Sequence, residues 1–387
     1  MQSGLSRRLV LILMLIVLTA GFGTPSVAQG VPASEAAMAD YHRKLAVYNE
    51  AFGRFDAGAQ VYWSKITEKR RTRNAKRRNH EQIELEDYVL TQPPLYTGPS
   101  KPVDPSQPNA PTTRRYVPVI ADFLRNAQEQ FGFAPTPPAS EVVYKRTYAR
   151  IAAAAGLSRE QAVRVYSFES GGNGHYDVQA GLEYARPNAR AISTALGYNQ
   201  LLHTNSVELL AEQGDDFIKA LHGKAAAMTG QEHDRLEGKV AILQRMVRFT
   251  KTVPDDWNEH EKLANTPRGL GVHSVTLDID IGPYAQTQKL MNSIDFARMK
   301  GFKRILTAAE LEMMNLTGDG NGFDMVTMPD VMRERVPTSN FFQRGGYERN
   351  PVAIRNNTVK ALLAATDTKM DVEIKLQGAK DLAEAFN

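Results

Sequence analysis

Residues 166–177 read Y-S-F-E-S-G-G-N-G-H-Y-D, with Glu169 closing an apolar run and Gly171, Gly172 and Gly174 following it. If a helix starts near Ser158, then Ala162, Tyr166 and Glu169 fall at i, i+4 and i+7 on one face, with Val165 beside them. Apolar neighbours desolvate a carboxyl, which disfavours its charged form and raises its pKa. An acid that keeps its proton near neutral pH can donate it to a leaving oxygen, the step that glycoside cleavage requires. The glycines end the helix and leave room for a bulky substrate. Asp177, beyond the glycine loop, offers a second carboxylate, and two carboxylates spaced to hold a water would make an inverting hydrolase. The same residues also fit a helix-terminal Glu before a flexible loop, with Asp177 capping that loop.

The elements that must position Glu169 read as a succession of helices. The pattern over 141–155 puts Tyr144, Tyr148, Ile151 and Ala155 on one side, and Gly156 stops the helix. Ser158 with Gln161 is a capping-box start for the next helix. Asn205 with Glu208 suggests another start, running through Leu209, Leu210 and Phe217. Leu236, Val240, Leu243 and Val247 mark a further amphipathic helix. Gly282-Pro283 opens one more, with Leu290, Ile294 and Ala297 inward. Residues 273–281 alone alternate like a strand, with Val275, Leu277, Ile279 and Ile281 on one face. The fold class expected is therefore mainly α.

A second block, residues 193–202, reads S-T-A-L-G-Y-N-Q-L-L. Together with F-E-S-G at 168–171, it resembles the soluble lytic transglycosylase domain, a lysozyme-like helical fold that acts on peptidoglycan. Glu169-Ser170 matches that family's Glu-Ser motif. Gly197-Tyr198-Asn199-Gln200 matches its Gly-Leu-Met-Gln motif at Gly and Gln. Met314-Asn315 stands nearest its aromatic-Asn motif, with Met in place of Tyr. The resemblance covers roughly residues 140–320, with residues 175–190 as an apparent insertion.

The resemblance implies a single-carboxylate mechanism and no cofactor. Glu169 would protonate the oxygen between N-acetylmuramic acid and N-acetylglucosamine, then act as base on the muramoyl C6 hydroxyl, leaving a 1,6-anhydro product. Ser170 would orient Glu169 or the substrate's acetamido group, and Gln200 and Asn315 would bind the sugar. Tyr198 and Asn199 depart from the family pattern, but an aromatic face can stack on a sugar and an amide can hydrogen-bond it. Two alternatives stand beside the lyase: a non-catalytic glycan-binding or envelope scaffold protein of the same fold, and a lysozyme-type hydrolase using Asp177.

Residues 1–28 read as a cleaved signal peptide: Arg7 and Arg8, an apolar run over 9–18, then Ser26-Val27-Ala28. Periplasmic or secreted localisation is expected, with an uncleaved inner-membrane anchor as the alternative. The chain has 387 residues and no cysteine, which excludes disulfides, thiol catalysis and thiolate metal sites. Removing Arg7 and Arg8 from the 47 basic residues leaves them nearly balanced by the 43 acidic ones, so basic character must be local. It concentrates in K-R-R-T-R-N-A-K-R-R at 69–78, just before Glu81, Glu84, Glu86 and Asp87. Export argues against nucleic acid as a partner of this run. An anionic surface or envelope protein fits better, and a solvated helical face is the plainer reading.

The expected organisation is a signal peptide at 1–28, a helical basic N-terminal region at 29–90, a Pro-rich linker or strap at 91–115, and the lysozyme-like helical domain with a C-terminal extension at 116–387. Residues 317–324, T-G-D-G-N-G-F-D, resemble a calcium loop. Aligned with Gly322 at the sixth position, however, Thr317 and Met328 would occupy the first and twelfth, where acidic oxygens are needed. A glycine-rich turn lining the cleft is expected instead. Asp278 and Asp280 could face a metal or sugar, or lie on a solvated strand face. No histidine spacing matches a zinc site, and no metal is expected.

Overall fold

The computed structural model describes residues 34–107, 116–182 and 190–387. The signal-peptide reading, Pro108 and Pro111 lie outside these residues. Among the described residues the protein is helical without strands; pairing is confined to isolated bridges such as Leu196 with Leu201. None of these helices is long and apolar enough to cross a membrane.

The chain divides into two compact units. The smaller includes described residues 34–55 and 96–107, where helix α1 (Glu35–Arg78) begins. There Tyr96 packs against the rings of Tyr48, Phe52 and Phe55 at centroid distances of 6.1, 5.5 and 5.3 Å. The larger unit takes the rest of α1 from Asp56. The division thus falls inside α1 and inside the proline-rich stretch.

The larger unit continues with α2 (Ile120–Phe131), α3 (Glu141–Ala155), α4 (Arg159–Ser170), α5 (His203–Ala226) and α6 (Gly230–Thr250). Next come α7 (Trp257–Ala264), α8 (Pro267–His273), α9 (Gly282–Met299), α10 (Ala308–Thr317) and α11 (Asp319–Thr327). The short α12 (Asp330–Arg333), α13 (Arg344–Glu348) and α14 (Pro351–Arg355) precede α15 (Val359–Glu373) and α16 (Gln377–Glu384).

Two large hydrophobic cores organise these helices among the described residues. Phe217, Leu221, Leu236, Val240, Leu243 and Val247 belong to one, where α5 and α6 pack together. Tyr144, Tyr148, Val165, Tyr166 and Met314 belong to the other, around α3, α4 and α10. Helix α9 serves both, with Ala285 in the first and Leu290, Ile294 and Ala297 in the second.

Local signals act as the sequence dictates where α3 ends and α4 begins. Ser158 Oγ accepts the Gln161 N–H at 3.1 Å, and Gln161 Oε1 accepts the Ser158 N–H at 3.1 Å. Gly156 ends α3 at φ 89°, a conformation costly for any side chain. Helix α5 differs from expectation. It starts at His203, and Asn205 caps from inside by accepting the Leu202 N–H at 3.1 Å.

Residues 273–281 are not a strand. Helix α8 ends at His273 and a 3₁₀ turn covers Ser274–Leu277. Val275, Leu277 and Ile281 are buried, but so are Thr276, Asp278 and Asp280, so the alternation does not separate a wet face from a dry one. Residues 317–324 are not an open loop either: Gly318 separates α10 from α11, which begins at Asp319.

The basic run is mostly turned inward. Arg73 is wholly buried, donating to the carbonyls of Asp87 at 2.9 Å and Asn340 at 3.1 Å, with its guanidinium 4.4 Å from the Tyr88 ring centre. Arg70 donates to the Phe342 carbonyl at 2.8 Å, Lys69 to that of Glu86 at 2.6 Å, and Lys76 to Asp87 Oδ2 at 2.6 Å. Arg77 pairs with Asp324. Of the basic residues in the run only Arg71 and Arg78 are exposed, so it is not a fully solvated basic face.

Candidate active site

Helix α4 is held on several sides, by α3, α10, α15 and α16. Ala162, Val165 and Tyr166 are buried, and Glu169 extends their stripe as a half-buried residue one turn further on. Its carboxylate meets α10. Asn315 Nδ2 donates to Glu169 Oε1 at 2.7 Å, which brings together two site residues that lie far apart in the chain.

The same turn of α10 carries Glu312, wholly buried and within hydrogen-bonding range of Glu169. Burial pushes the Glu169 carboxyl up to about 7, against hydrogen bonds from Glu312 and Asn315 and the positive fields of Lys369 and Lys289. Burial and the neighbouring Glu169 push Glu312 well above the usual carboxylate range. Lys369, on α15, is steered by Phe168: its Nζ donates to the Phe168 carbonyl at 2.9 Å and stands 4.2 Å from the ring centre.

The carboxyl beside Glu169 is therefore Glu312, not Asp177. Asp177 lies half-buried in the turn after the glycine loop, and no hydrogen bond or ion pair joins it to Glu169. Sequence reasoning missed Glu312. Its signal was the i, i+3 spacing with Asn315, which puts both on one helix face.

The glycine loop serves the protein's own packing. A Cβ on Gly172 would stand 2.4 Å from the Glu373 carbonyl oxygen, and one on Gly378 would stand 2.7 Å from the Gly172 carbonyl oxygen. Gly378 N–H donates to Asn173 Oδ1 at 2.9 Å. The permissive backbone admits the C-terminal helices to the end of α4, where room for substrate was expected. Gly171, by contrast, faces open space. Both glycines have φ 66°, so Gly171→Ala should cost only the backbone penalty of ~1–2 kcal/mol. Gly172→Ala adds a collision with backbone and should cost at least ~2 kcal/mol more. Thermal unfolding of the two variants side by side checks this; equal losses would mean that the contact with α15 carries no weight.

Ser170, Tyr198, Asn199 and Gln200 do not line the carboxyl pair. Ser170 Oγ donates to the Tyr166 carbonyl at 2.7 Å, back along its own helix. Residues 196–201 form a tight turn closed by reciprocal bonds between Leu196 and Leu201, both 3.0 Å. Tyr198 is wholly buried against the edges of Tyr144, Tyr148 and Tyr166 and donates its hydroxyl to Glu141, so no face is left for a sugar. Asn199 is buried and donates to the Gln286 carbonyl at 2.7 Å. Gln200 donates to the carbonyls of Gly197 at 2.7 Å and Val178 at 3.1 Å. This block is a packing device: a Cβ on Gly197 would come within 2.2 Å of Gln286 Nε2.

Asp278 and Asp280 face neither solvent nor a ligand. Lys239 Nζ lies 2.7 Å from Asp278 Oδ2 and 2.5 Å from Asp280 Oδ2, and Asp280 also binds Lys224 and Arg235. Burial pushes Asp278 up. It pushes Asp280 up too, but hydrogen bonds from Lys224 and Lys239 prevail and hold that carboxyl at about 2. Among the described residues, no group of three or more acidic or histidine side chains is arranged to hold a metal ion.

The candidate active site thus comprises Glu169, Glu312 and Asn315, with Lys369 alongside. No family model, curated protein or solved structure matches the chain.

Proposed function

We propose that the protein is an exported, lysozyme-like lytic transglycosylase of peptidoglycan, with Glu169 as its acid and base. The observation that carries this reading is a half-buried glutamate with a raised pKa at a helix end, held by the amide of Asn315. A carboxyl so placed keeps a proton into the neutral range and stays within reach of a substrate.

In the first step Glu169 gives its proton to the oxygen linking N-acetylmuramic acid to N-acetylglucosamine. The substrate's acetamido oxygen supports the positive charge at C1. In the second step the Glu169 carboxylate takes the proton of the C6 hydroxyl as that oxygen bonds to C1. Glu169 returns to its starting form and the sugar ends as 1,6-anhydro-N-acetylmuramic acid, with no water consumed.

Incubating the purified protein with peptidoglycan and weighing the products tests the proposal. Anhydro-muropeptides are expected. Reducing ends would identify a hydrolase, and binding without cleavage would favour a glycan-binding scaffold.

A further inference from the structure

Glu312 is the titratable group at this site that the two proton transfers leave unused. It is wholly buried, and its Oε1 has no hydrogen-bond donor. Its Oε2 shares the Asn315 amide with Glu169, at 3.5 Å against 2.7 Å. Among the described residues, no lysine, arginine or histidine forms an ion pair with either carboxyl. A carboxylate so enclosed needs strong donors or an adjacent cation, because removing it from water costs several kcal/mol. A neutral acid needs only an acceptor for its O–H, and Glu169 is within reach.

We infer that Glu312 is held as a neutral acid whose O–H donates to the Glu169 carboxylate, making it the positioning residue that supports Glu169 between its two proton transfers. The role in turnover rests on the lyase reading; the protonation state does not. When Glu169 gives up its proton, negative charge appears on a half-buried carboxylate facing two preorganised donors, the Glu312 O–H and the Asn315 N–H. When Glu169 recovers a proton from the C6 hydroxyl, Glu312 still holds its own. The cycle balances without a co-reactant.

The other charged groups on the packed elements bear on the pair as follows. Lys369 of α15 and Lys289 of α9 favour the Glu169 carboxylate. Glu373 of α15 lies beside Lys369 at 3.8 Å, and Asp367 and Asp371 are taken up by Arg164. Asp319 of α11 accepts from Ser293, and Asp324 pairs with Arg77. Asp381 of α16 faces Lys145 of α3.

The test is a carbon-13 titration of glutamate carboxyls in the full chain, assigned with Glu169→Gln and Glu312→Gln. In the wild type one carboxyl should still hold its proton after Glu169 has titrated near neutrality. In Glu312→Gln the amide replaces one neutral donor with another, so the Glu169 midpoint should move by less than about half a unit. In Glu312→Leu the donor is gone and the midpoint should rise by about one unit. A fall of about a unit or more in Glu312→Gln would mean that Glu312 had been charged, and would overturn the inference. So would a wild type in which no glutamate keeps its proton past the Glu169 midpoint, a result that needs no variant to fold. Turnover should drop by about 10–100-fold in Glu312→Leu, and Glu312→Gln should restore most of it with KM little changed. A titration as expected with no glycan cleavage by the wild type would retire the lyase reading alone; cleavage with an ordinary titration would retire this inference alone.

Discussion

Glu169→Gln should lower the rate of anhydro-sugar formation by at least about 10³-fold while leaving glycan binding nearly intact, because a neutral amide keeps the shape and loses the transferable proton. The same substitution should make the protein more stable above neutrality. The folded Glu169 titrates at about 7 and an unperturbed glutamate at 4.5, so between those values the native state holds a proton that the unfolded chain releases. Native stability is fully present below the lower value, falls as pH rises through the window, and is level above it. Glutamine has no such dependence. Wild type and variant should therefore unfold alike near pH 4, and the variant should be more stable by about 2–3 kcal/mol near pH 8. Denaturant midpoints at the two pH values measure this. Equal midpoints near pH 8 would mean that Glu169 is an ordinary solvated carboxylate. The activity profile should mirror the titration: kcat/KM should decline above about pH 7 as the acid form is lost.

The second large effect lies in the core. Lys239→Met should cost about 3–5 kcal/mol, since it strips a buried charge of its partner while the partner stays buried. Asp278 would keep the N–H of Thr136 at 2.7 Å and that of Asp280 at 2.9 Å, but no cation. Asp280 would retain Lys224 and Arg235. Adding Asp278→Asn to Lys239→Met removes the stranded charge and should recover at least ~1 kcal/mol, a coupling that a double-mutant cycle in urea reads directly. A single substitution costing under ~1 kcal/mol would show that the cluster is solvated in solution.

What was legible in the sequence was local. Ser158 and Gln161 capping α4, Gly156 ending α3, and the apolar periods of α6 and α9 all follow from short-range geometry. So did the stripe that ends at Glu169, since three turns of one helix fix which residues share a face. The block at 196–201 was legible as important but misread in kind. A tyrosine and an asparagine beside a glycine look the same in sequence whether they face a sugar or a core, and only Tyr144, Tyr148, Tyr166 and Gln286, all from other helices, decide it.

The alternation over 273–281 misled for a related reason. A period of two signals a strand only when one face is wet, and Lys239 from α6 makes the polar positions as dry as the apolar ones. The glycines after Glu169 likewise admit the C-terminal helices, a contact between residues some two hundred positions apart. By itself the sequence determined the helices, their caps and the half-buried carboxyl at the end of α4. Tertiary structure alone decided what that carboxyl meets: Glu312 and Asn315, brought to it by α10. Proton affinity is set by burial and by neighbours a few ångströms away, and neither is a property of position along the chain.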